Sequence, residues 1–302
     1  MKTKIFLPAT VSLLVFACLG GLGAPRAQAA EASAPDAGAS PPPLPEIHKP
    51  LAEIRYQVGV HDMWVPDVDS HTYGVNVTAA MEGTLGASTH YVADGDVFLD
   101  FDQDHLDPDH IPVWWQLHFG LAGPISQSTP PGGWHFSWVA DANTRVNTVS
   151  SIEREIRAIA GLALGGKFGP LTVEGRLGGG YFFLEIDDDV PIPRGYERED
   201  LRNTTWVLSP TLEATLELGP RFKLHGRAQE WHDGSVWLET KYNAALDWDF
   251  GSVISHSVLE LSVELTEYNM AVYFPANKPP GYLPVVPWDD DRLIKLSLNK
   301  WW

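Results

Sequence analysis

Apolar and polar residues alternate with a period of two over most of the chain after residue 53. In the clearest stretch, residues 205–232, Leu208, Leu212 and Leu216 alternate with Thr and Glu side chains. The alternation resumes at Phe222 after the sequence Gly-Pro-Arg at 219–221. A period of two gives a β-strand two different faces, and two such strands joined by a tight turn predict a β-hairpin.

The same pattern predicts twelve strands in total, and the hairpin supplies the eighth and ninth. The others are expected near residues 54–65, 73–85, 91–101, 112–121, 134–141, 152–167, 171–186, 236–250, 253–268 and 292–302. Residues 151–163 also fit a helix, since Ile152, Ile156 and Ile159 have helical spacing. We choose a strand there because the neighbouring segments all alternate.

Short and long connections alternate along these strands. Short turns are expected at 165–170, 219–221 and 251–252, and longer loops at 102–111, 142–151, 187–202 and 269–291. Two connections break the alternation, a short one at 232–235 and a long one at 122–133. The pattern predicts a sheet with its short turns at one rim and its long loops at the other.

Many of these strands exceed ten residues, whereas strands of soluble domains most often have about 5–6. A tilted membrane-spanning strand needs about 9–11 residues, and a sheet can cross a bilayer only if it closes. The sequence therefore predicts an all-β fold, a transmembrane antiparallel up-and-down β-barrel of about 12 strands, with its apolar face toward lipid. Many tryptophans lie near predicted strand ends, where the aromatic girdles of such barrels belong. They are Trp64, Trp114, Trp134, Trp206, Trp231, Trp237, Trp248 and Trp301.

The first 30 residues have the pattern of a secretory signal peptide. Lys2 and Lys4 precede an apolar run over residues 5–22, and Ala-Gln-Ala at 27–29 matches a cleavage site after Ala29 or Ala30. A membrane anchor and lipidation at Cys18 are the weaker alternatives. Residues 31–52 are rich in Pro and Ala and predict a periplasmic linker, which leaves residues 53–302 for the barrel.

Charge and cysteine content restrict the functional classes. Removal of the signal peptide, which carries three basic residues, lowers the net charge from −18 to −21. Such acidity disfavours nucleic acid as a partner. Cys18 is the sole cysteine of the chain, so the mature protein is expected to have no disulfide, no thiolate nucleophile and no cysteine-ligated metal.

The C-terminal strand ends in an aromatic residue after alternating apolar positions, Ile294, Leu296 and Leu298 before Trp302. Here the chain resembles the Gram-negative outer-membrane β-barrel proteins, although Lys300 stands where an apolar residue is usual. The resemblance implies location in the cell outer membrane and recognition of this strand by the barrel-assembly machinery. It also implies contact with outer-membrane lipid and lipopolysaccharide. We expect a monomer.

Charged residues occupy the lumenal side of several predicted strands. The candidates for the lumen lining are Glu213, Glu217, Arg221, Lys223, His225, Arg227, Glu260 and Glu264. Opposite charges on adjacent strands predict cross-strand ion pairs. Two interpretations follow, a selective channel lining or a plug of mutually neutralising charges.

Residues 94–110 form the densest acidic cluster. Asp100, Asp102 and Asp104 have the spacing of the first ligands of a calcium loop. His105 and Ile111 stand where an EF-hand needs Gly and Glu, so this is no EF-hand. Other carboxylates here make a different oxygen site for Ca²⁺ possible, against the alternative of a solvated acidic loop. Those carboxylates are Asp107 and Asp109. No other cofactor is expected.

The long-loop rim carries two further acidic clusters, at 187–200 and 289–291. The sequence thus predicts a small-solute or ion channel, or a surface structural or binding protein, with an acidic extracellular rim. The alternative is a membrane-embedded lipid-modifying hydrolase using lumenal histidines such as His256. His256 cannot activate the adjacent Ser257, however, because neighbouring strand residues point to opposite faces, and no catalytic residue is assigned. A secreted soluble β-protein is a further alternative.

Overall fold

The computed structural model describes residues 52–86, 88–101, 112–127, 133–148, 152–186, 204–251, 254, 256–269 and 289–301. Its strands are β1 Ala52–Val65, β2 Ser70–Leu85, β3 Thr89–Asp100, β4 Val113–Gln127, β5 Trp134–Val146, β6 Ile152–Phe168, β7 Leu171–Ile186, β8 Thr204–Glu217, β9 Phe222–His232, β10 Trp237–Asp249, β11 Ser257–Tyr268 and β12 Asp290–Trp301. Each strand pairs with its neighbours in sequence, and β1 pairs with β12 to close the barrel. The prediction of a twelve-stranded antiparallel barrel is confirmed.

Residues 152–168 form the longest strand, so the helical alternative for this region is wrong. Three other boundaries differ from expectation by four residues or more. The fourth strand continues to Gln127, six residues beyond its predicted end, so residues 122–127 belong to a strand and not to the predicted long connection. The fifth strand continues to Val146, five residues beyond its predicted end. The eleventh begins only at Ser257, because the amide of Ile254 donates to the carbonyl of Phe250 (3.3 Å) and turns the chain first.

The up-and-down topology separates two ends of the barrel. We call one the turn end, where the connections are residues 86–88, 128–133, 169–170, 218–221 and 250–256, and the other the loop end. The shortest loop-end connections are 66–69, which contains a 3-10 turn, and 233–236. In the second, the carboxylate of Asp233 accepts hydrogen bonds from the amides of Ser235 and Val236 (2.9 Å each). That local turn explains why a short connection suffices where a long loop was expected.

The two faces of the barrel have opposite polarity. Outward side chains such as Val58, Leu177 and Leu208 are 55–60% exposed. Inward neighbours such as Gln57 and Ser209 are buried. This is the arrangement of a barrel whose outer wall contacts lipid and whose lumen is polar. Separately, no helix of the described residues is long and apolar enough to cross a membrane.

The tryptophans divide into two groups. Trp134 and Trp248 at the turn end and Trp206 at the loop end are 50%, 43% and 76% exposed, as the aromatic girdles require. Trp114 and Trp231, also predicted as girdle residues, are buried inside the barrel. The girdle prediction is wrong for these two, since both lie on the polar, inward side of their strands.

Candidate functional site

Large side chains fill the loop-end half of the lumen. The largest fully buried ones are Trp114, Trp231, Arg145, Arg157, Phe98, Phe182, Met63, Leu184, Leu238 and Glu155. Arg145 is the second-last residue of β5, Trp231 is the second-last of β9, and Trp114 is the second of β4. All three therefore lie close to the loop end. The lumen is closed there by a layer of charged and aromatic groups.

Arg145 spans the lumen. Its guanidinium donates to the carboxylate of Glu264 on β11, which stands opposite β5 in the closed order of strands. It also lies 3.9 Å from the carboxylate of Asp291, which in turn accepts a hydrogen bond from the Tyr268 hydroxyl (3.0 Å). We call this set, Arg145 with Glu264 and Asp291, the cross-lumen ion pair. It joins opposite walls of the barrel and so obstructs passage along its axis.

Arg157 on β6 is the centre of a second buried group. Its guanidinium pairs with the carboxylates of Glu155 and Glu239. The guanidinium carbon lies 4.6 Å from the ring centroid of Phe182 and 5.2 Å from that of Trp231, distances at which a cation is attracted to an aromatic ring. The charge of this guanidinium is thus paired with protein carboxylates, and the group also packs against aromatic rings.

Lys241 connects the two buried groups. Its ammonium lies 2.6 Å from Oε1 of Glu155 and 3.8 Å from Oε1 of Glu264. A change at either arginine therefore alters the charge balance around the other.

On the wall formed by β1 to β4, the buried group is aromatic. Nε2 of His61 lies 2.8 Å from Oδ1 of Asp100, and the indole N–H of Trp114 donates to the same oxygen (3.1 Å). The Phe98 and Trp114 rings stack with centroids 3.6 Å apart. Asp100, the first residue of the predicted calcium site, therefore points into the lumen and binds protein donors.

The calcium prediction is otherwise untested. Asp102, Asp104, Asp107 and Asp109 lie outside the described residues, as do the carboxylates at 187–200. Within the part of the chain that the structure describes, no group of three or more His, Cys, Asp or Glu side chains could hold a metal. Of the acidic cluster 289–291, Asp290 pairs with Arg292 (3.0 Å) and Asp291 is buried in the cross-lumen ion pair.

Gly74 makes room for the His61–Asp100 contact. It lies opposite His61 on β1 and opposite Asp100 on β3, so the imidazole crosses over it. A Cβ added to Gly74 would lie 2.4 Å from Cε1 of His61 and 2.2 Å from the carbonyl oxygen of Leu99. No real Cβ approaches this closely, and the backbone oxygen has little freedom to move.

Gly74→Ala is expected to destabilise the barrel by about 1–3 kcal/mol through overpacking. It should also displace His61 from Asp100. Unfolding by urea in detergent, followed by tryptophan fluorescence, measures the change. Gly226→Ala is the matched control, since a Cβ there meets nothing within 4 Å. Equal stability of both variants would show that Gly74 is not required for this packing.

Below this filled half, a cavity of about 900 Å³ lies between the lumenal walls near the turn end. We call it the vestibule. At its inner end, His118 bridges two carboxylates, with Nδ1 2.8 Å from Asp94 and Nε2 2.7 Å from Asp141. Only the doubly protonated imidazolium donates from both ring nitrogens, so this position suits a cation.

Two arginines complete the inner end of the vestibule. Arg176 donates to Glu213 (2.9 Å), and Nε of Arg227 lies 3.5 Å from the same carboxylate. Glu213 and Arg227 are opposite each other on adjacent strands β8 and β9. This is the kind of cross-strand pair expected from the sequence.

Of the other predicted lining residues, some lie on the lumenal wall and others are exposed at the turn end. His225 lies 3.0 Å from the carboxylate of Asp247, and Glu260 accepts from the Asn299 amide (3.3 Å). Glu217 and Lys223 are exposed at the turn end. Arg221 lies in the turn that precedes β9 and is exposed, not on a strand wall, because β9 begins at Phe222. His256 likewise lies in a turn with φ +55° and not on the lumenal face of a strand.

No protein-family model matches the chain, and no curated protein matches its sequence. Among solved structures, the chain is similar to "KdgM porin in complex with disordered oligogalacturonate", with a TM-score of 0.43, 6% identity and coverage of 82% of this chain and 98% of that one. It is also similar to outer membrane phospholipase A from Escherichia coli (TM-score 0.42, 11% identity, 81% and 91% covered).

A third similar structure is an anion-selective porin from Comamonas acidovorans (TM-score 0.39, 7% identity, 83% and 98% covered). All three are outer-membrane β-barrels, the class that the C-terminal strand resembles. At these identities the likeness extends to the fold alone.

Proposed function

We propose that this protein is a monomeric outer-membrane barrel that conducts small cations through its lumen. In its resting state the lumen is closed at the loop end by the cross-lumen ion pair. The observation that carries the proposal is the charged interior, which runs from the vestibule to the filled half. The outer-membrane location is supported by the signal-peptide pattern, the lipid-facing apolar wall and the C-terminal strand, which would contact the barrel-assembly machinery.

The preference for cations follows from the charges that are buried in the lumen. Among the described residues, six buried side chains carry carboxylates and two carry guanidinium groups. The carboxylates are Asp96, Asp100, Asp141, Glu155, Glu239 and Asp291. Acidic side chains lining a pore favour cations over anions, as basic ones favour anions. The acidic loop clusters would add to this preference at the loop end.

Polar groups on the lumen wall of β1 and β2 favour a state in which the lumen is hydrated. Several buried neutral groups there have no hydrogen-bond partner among the described residues, including the amides of Gln57 and Asn76 and the hydroxyl of Thr72. Water in the lumen would hydrogen-bond to these groups, which suits a lumen that carries hydrated ions.

In planar bilayers under a KCl gradient, the reversal potential of the openings is expected to indicate a preference for K⁺ over Cl⁻. Asp94→Asn with Asp141→Asn should move that potential toward zero, because it removes two vestibule carboxylates. Glu217→Gln, a carboxylate exposed at the turn end, is the control and should leave it unchanged. The wild type and Arg145→Ala, which lacks the cross-lumen ion pair, are both measured. A preference for Cl⁻, or silent bilayers with both proteins, would contradict the proposal.

A further inference from the structure

The lipid-facing wall of β1 to β6 carries a shallow apolar groove of about 940 Å³. Its floor is made of small outward-facing residues, Ala79, Ala93, Gly95 and Ala142. Ala79 lies opposite Gly95 across β2 and β3, and Ala142 lies opposite Phe119 across β4 and β5. The groove is therefore a depression over the small residues of β2 and β3. It continues past Leu117 and Phe119 of β4, which also line it, to Ala142 on β5.

Larger apolar side chains border the depression. Tyr56 on β1 flanks Ala79, and Ile156 on β6 closes the opposite side. Tyr56 and Ile156 are 50% and 36% exposed. The lining is almost wholly hydrocarbon, so a ligand there buries an apolar chain.

A basic group stands at the loop end of the groove. Arg154 lines it two residues from Ile156 along β6, toward the start of the strand at the loop end. Its side chain is 49% exposed and faces outward, with Nη1 3.6 Å from Glu185. Arg154 is the third residue of β6, so its half-exposed guanidinium lies near the loop-end boundary of the outer wall. Guanidinium groups bind phosphate through two parallel hydrogen bonds.

We propose that this groove binds one acyl chain of lipid A, the phosphorylated anchor of lipopolysaccharide, with Arg154 at a lipid A phosphate. The proposal rests on the outer-membrane location proposed above, because that membrane carries lipopolysaccharide in the leaflet at the loop end. The apolar floor matches the acyl chain of the proposed ligand, and Arg154 matches its anionic headgroup. An uncharged amphiphile would leave Arg154 without a ligand group.

Native mass spectrometry of delipidated protein in detergent, with added diphosphorylated lipid A, tests the site. One bound lipid A is expected on the wild type. Ala79→Leu should abolish binding because its side chain fills the floor. Arg154→Gln should lower the affinity about tenfold, the effect of losing one charge-assisted hydrogen bond, and Arg154→Lys should retain more of it. Ala244→Leu, at an exposed outward alanine on β10, is the matched control and should bind as the wild type does.

Three results would overturn the proposal. The first is no bound lipid A on the folded wild type. The second is equal binding by Ala79→Leu and the wild type. The third is equal affinity for dephosphorylated lipid A, which would remove the role of Arg154. Conductance is measured on the same variants, and no groove variant should change it because all of these side chains face lipid. Failure of the channel proposal therefore appears in the bilayer recordings and failure of the lipid site in the mass spectra.

Discussion

Arg157→Met is expected to lower the free energy of unfolding by about 3–5 kcal/mol, the cost of leaving a buried charge without its partner. The substitution keeps an apolar side chain of similar length against Phe182 and Trp231. It removes the cation that faces Glu155 and Glu239, which are 1% and 0% exposed. Urea unfolding in detergent, followed by tryptophan fluorescence, measures the loss, and Trp231 beside the site is a local reporter.

A triple variant separates the charge from the packing. Arg157→Met combined with Glu155→Gln and Glu239→Gln removes both carboxylates that faced the guanidinium. Part of the lost stability should return, because Glu155 also pairs with the Lys241 ammonium (2.6 Å) and that contact is weakened in the triple variant. Lys167→Met is the control, because the Lys167–Glu217 ion pair (3.0 Å) is about half exposed on both sides. Exposed pairs contribute about 0–1 kcal/mol. If Arg157→Met costs no more than Lys167→Met, the buried ion pair does not stabilise the barrel.

Much of this architecture follows from the sequence because a strand has a side-chain period of two. Whether a residue number is odd or even is enough to assign Leu208 and Ser209 to opposite faces of their strand, and likewise Val58 and Gln57. The structure places the first of each pair outside and the second inside. Strand length and the terminal aromatic residue then turn the apolar side toward lipid. The polar side becomes the lumen, and closure of the sheet follows since open edges cannot cross a bilayer.

The alternation of odd and even positions also indicates which side chains fill the lumen. Trp114 lies on the same side of β4 as Gln116 and His118, and Trp231 lies on the same side of β9 as Gln229. An aromatic residue on the polar side of a membrane strand indicates a filled lumen. The girdle prediction for these two residues depends only on their position near strand ends. It does not take into account which face of the strand each residue occupies.

Pairing across the lumen could not be predicted in this way. Glu213 and Arg227 face each other on neighbouring strands of one hairpin, so the sequence brings them together. Arg145 and Glu264 are 119 residues apart and meet only because the barrel closes. Arg145 was also missed because the fifth strand was expected to end at residue 141. Which residues meet across the lumen depends on how the strands are staggered and on how the barrel closes. The alternation of apolar and polar residues does not contain this information.

The two interpretations of the charged lumen apply to different depths of the proposed channel. Near the turn end, the vestibule leaves space beside His118 and Asp141. Near the loop end, the cross-lumen ion pair and the aromatic side chains leave little space. In the proposed channel, conduction requires the loop-end layer to rearrange. We therefore expect this layer to determine the open probability and the vestibule carboxylates to determine the ion selectivity.

Arg145→Ala is expected to convert a mostly closed barrel into one with frequent resolvable openings. Its guanidinium joins β5 to both Glu264 and Asp291. Without it, Asp291 loses its nearby guanidinium and Glu264 keeps only the more distant Lys241 ammonium (3.8 Å). Both carboxylates must then be hydrated, which draws water into the loop-end half. Single-channel recording in planar bilayers measures the open probability. Lys167→Ala, at the exposed turn-end pair, is the control and should record as the wild type does. A folded Arg145→Ala barrel that stays as closed as the wild type would show that the cross-lumen ion pair is not the gate.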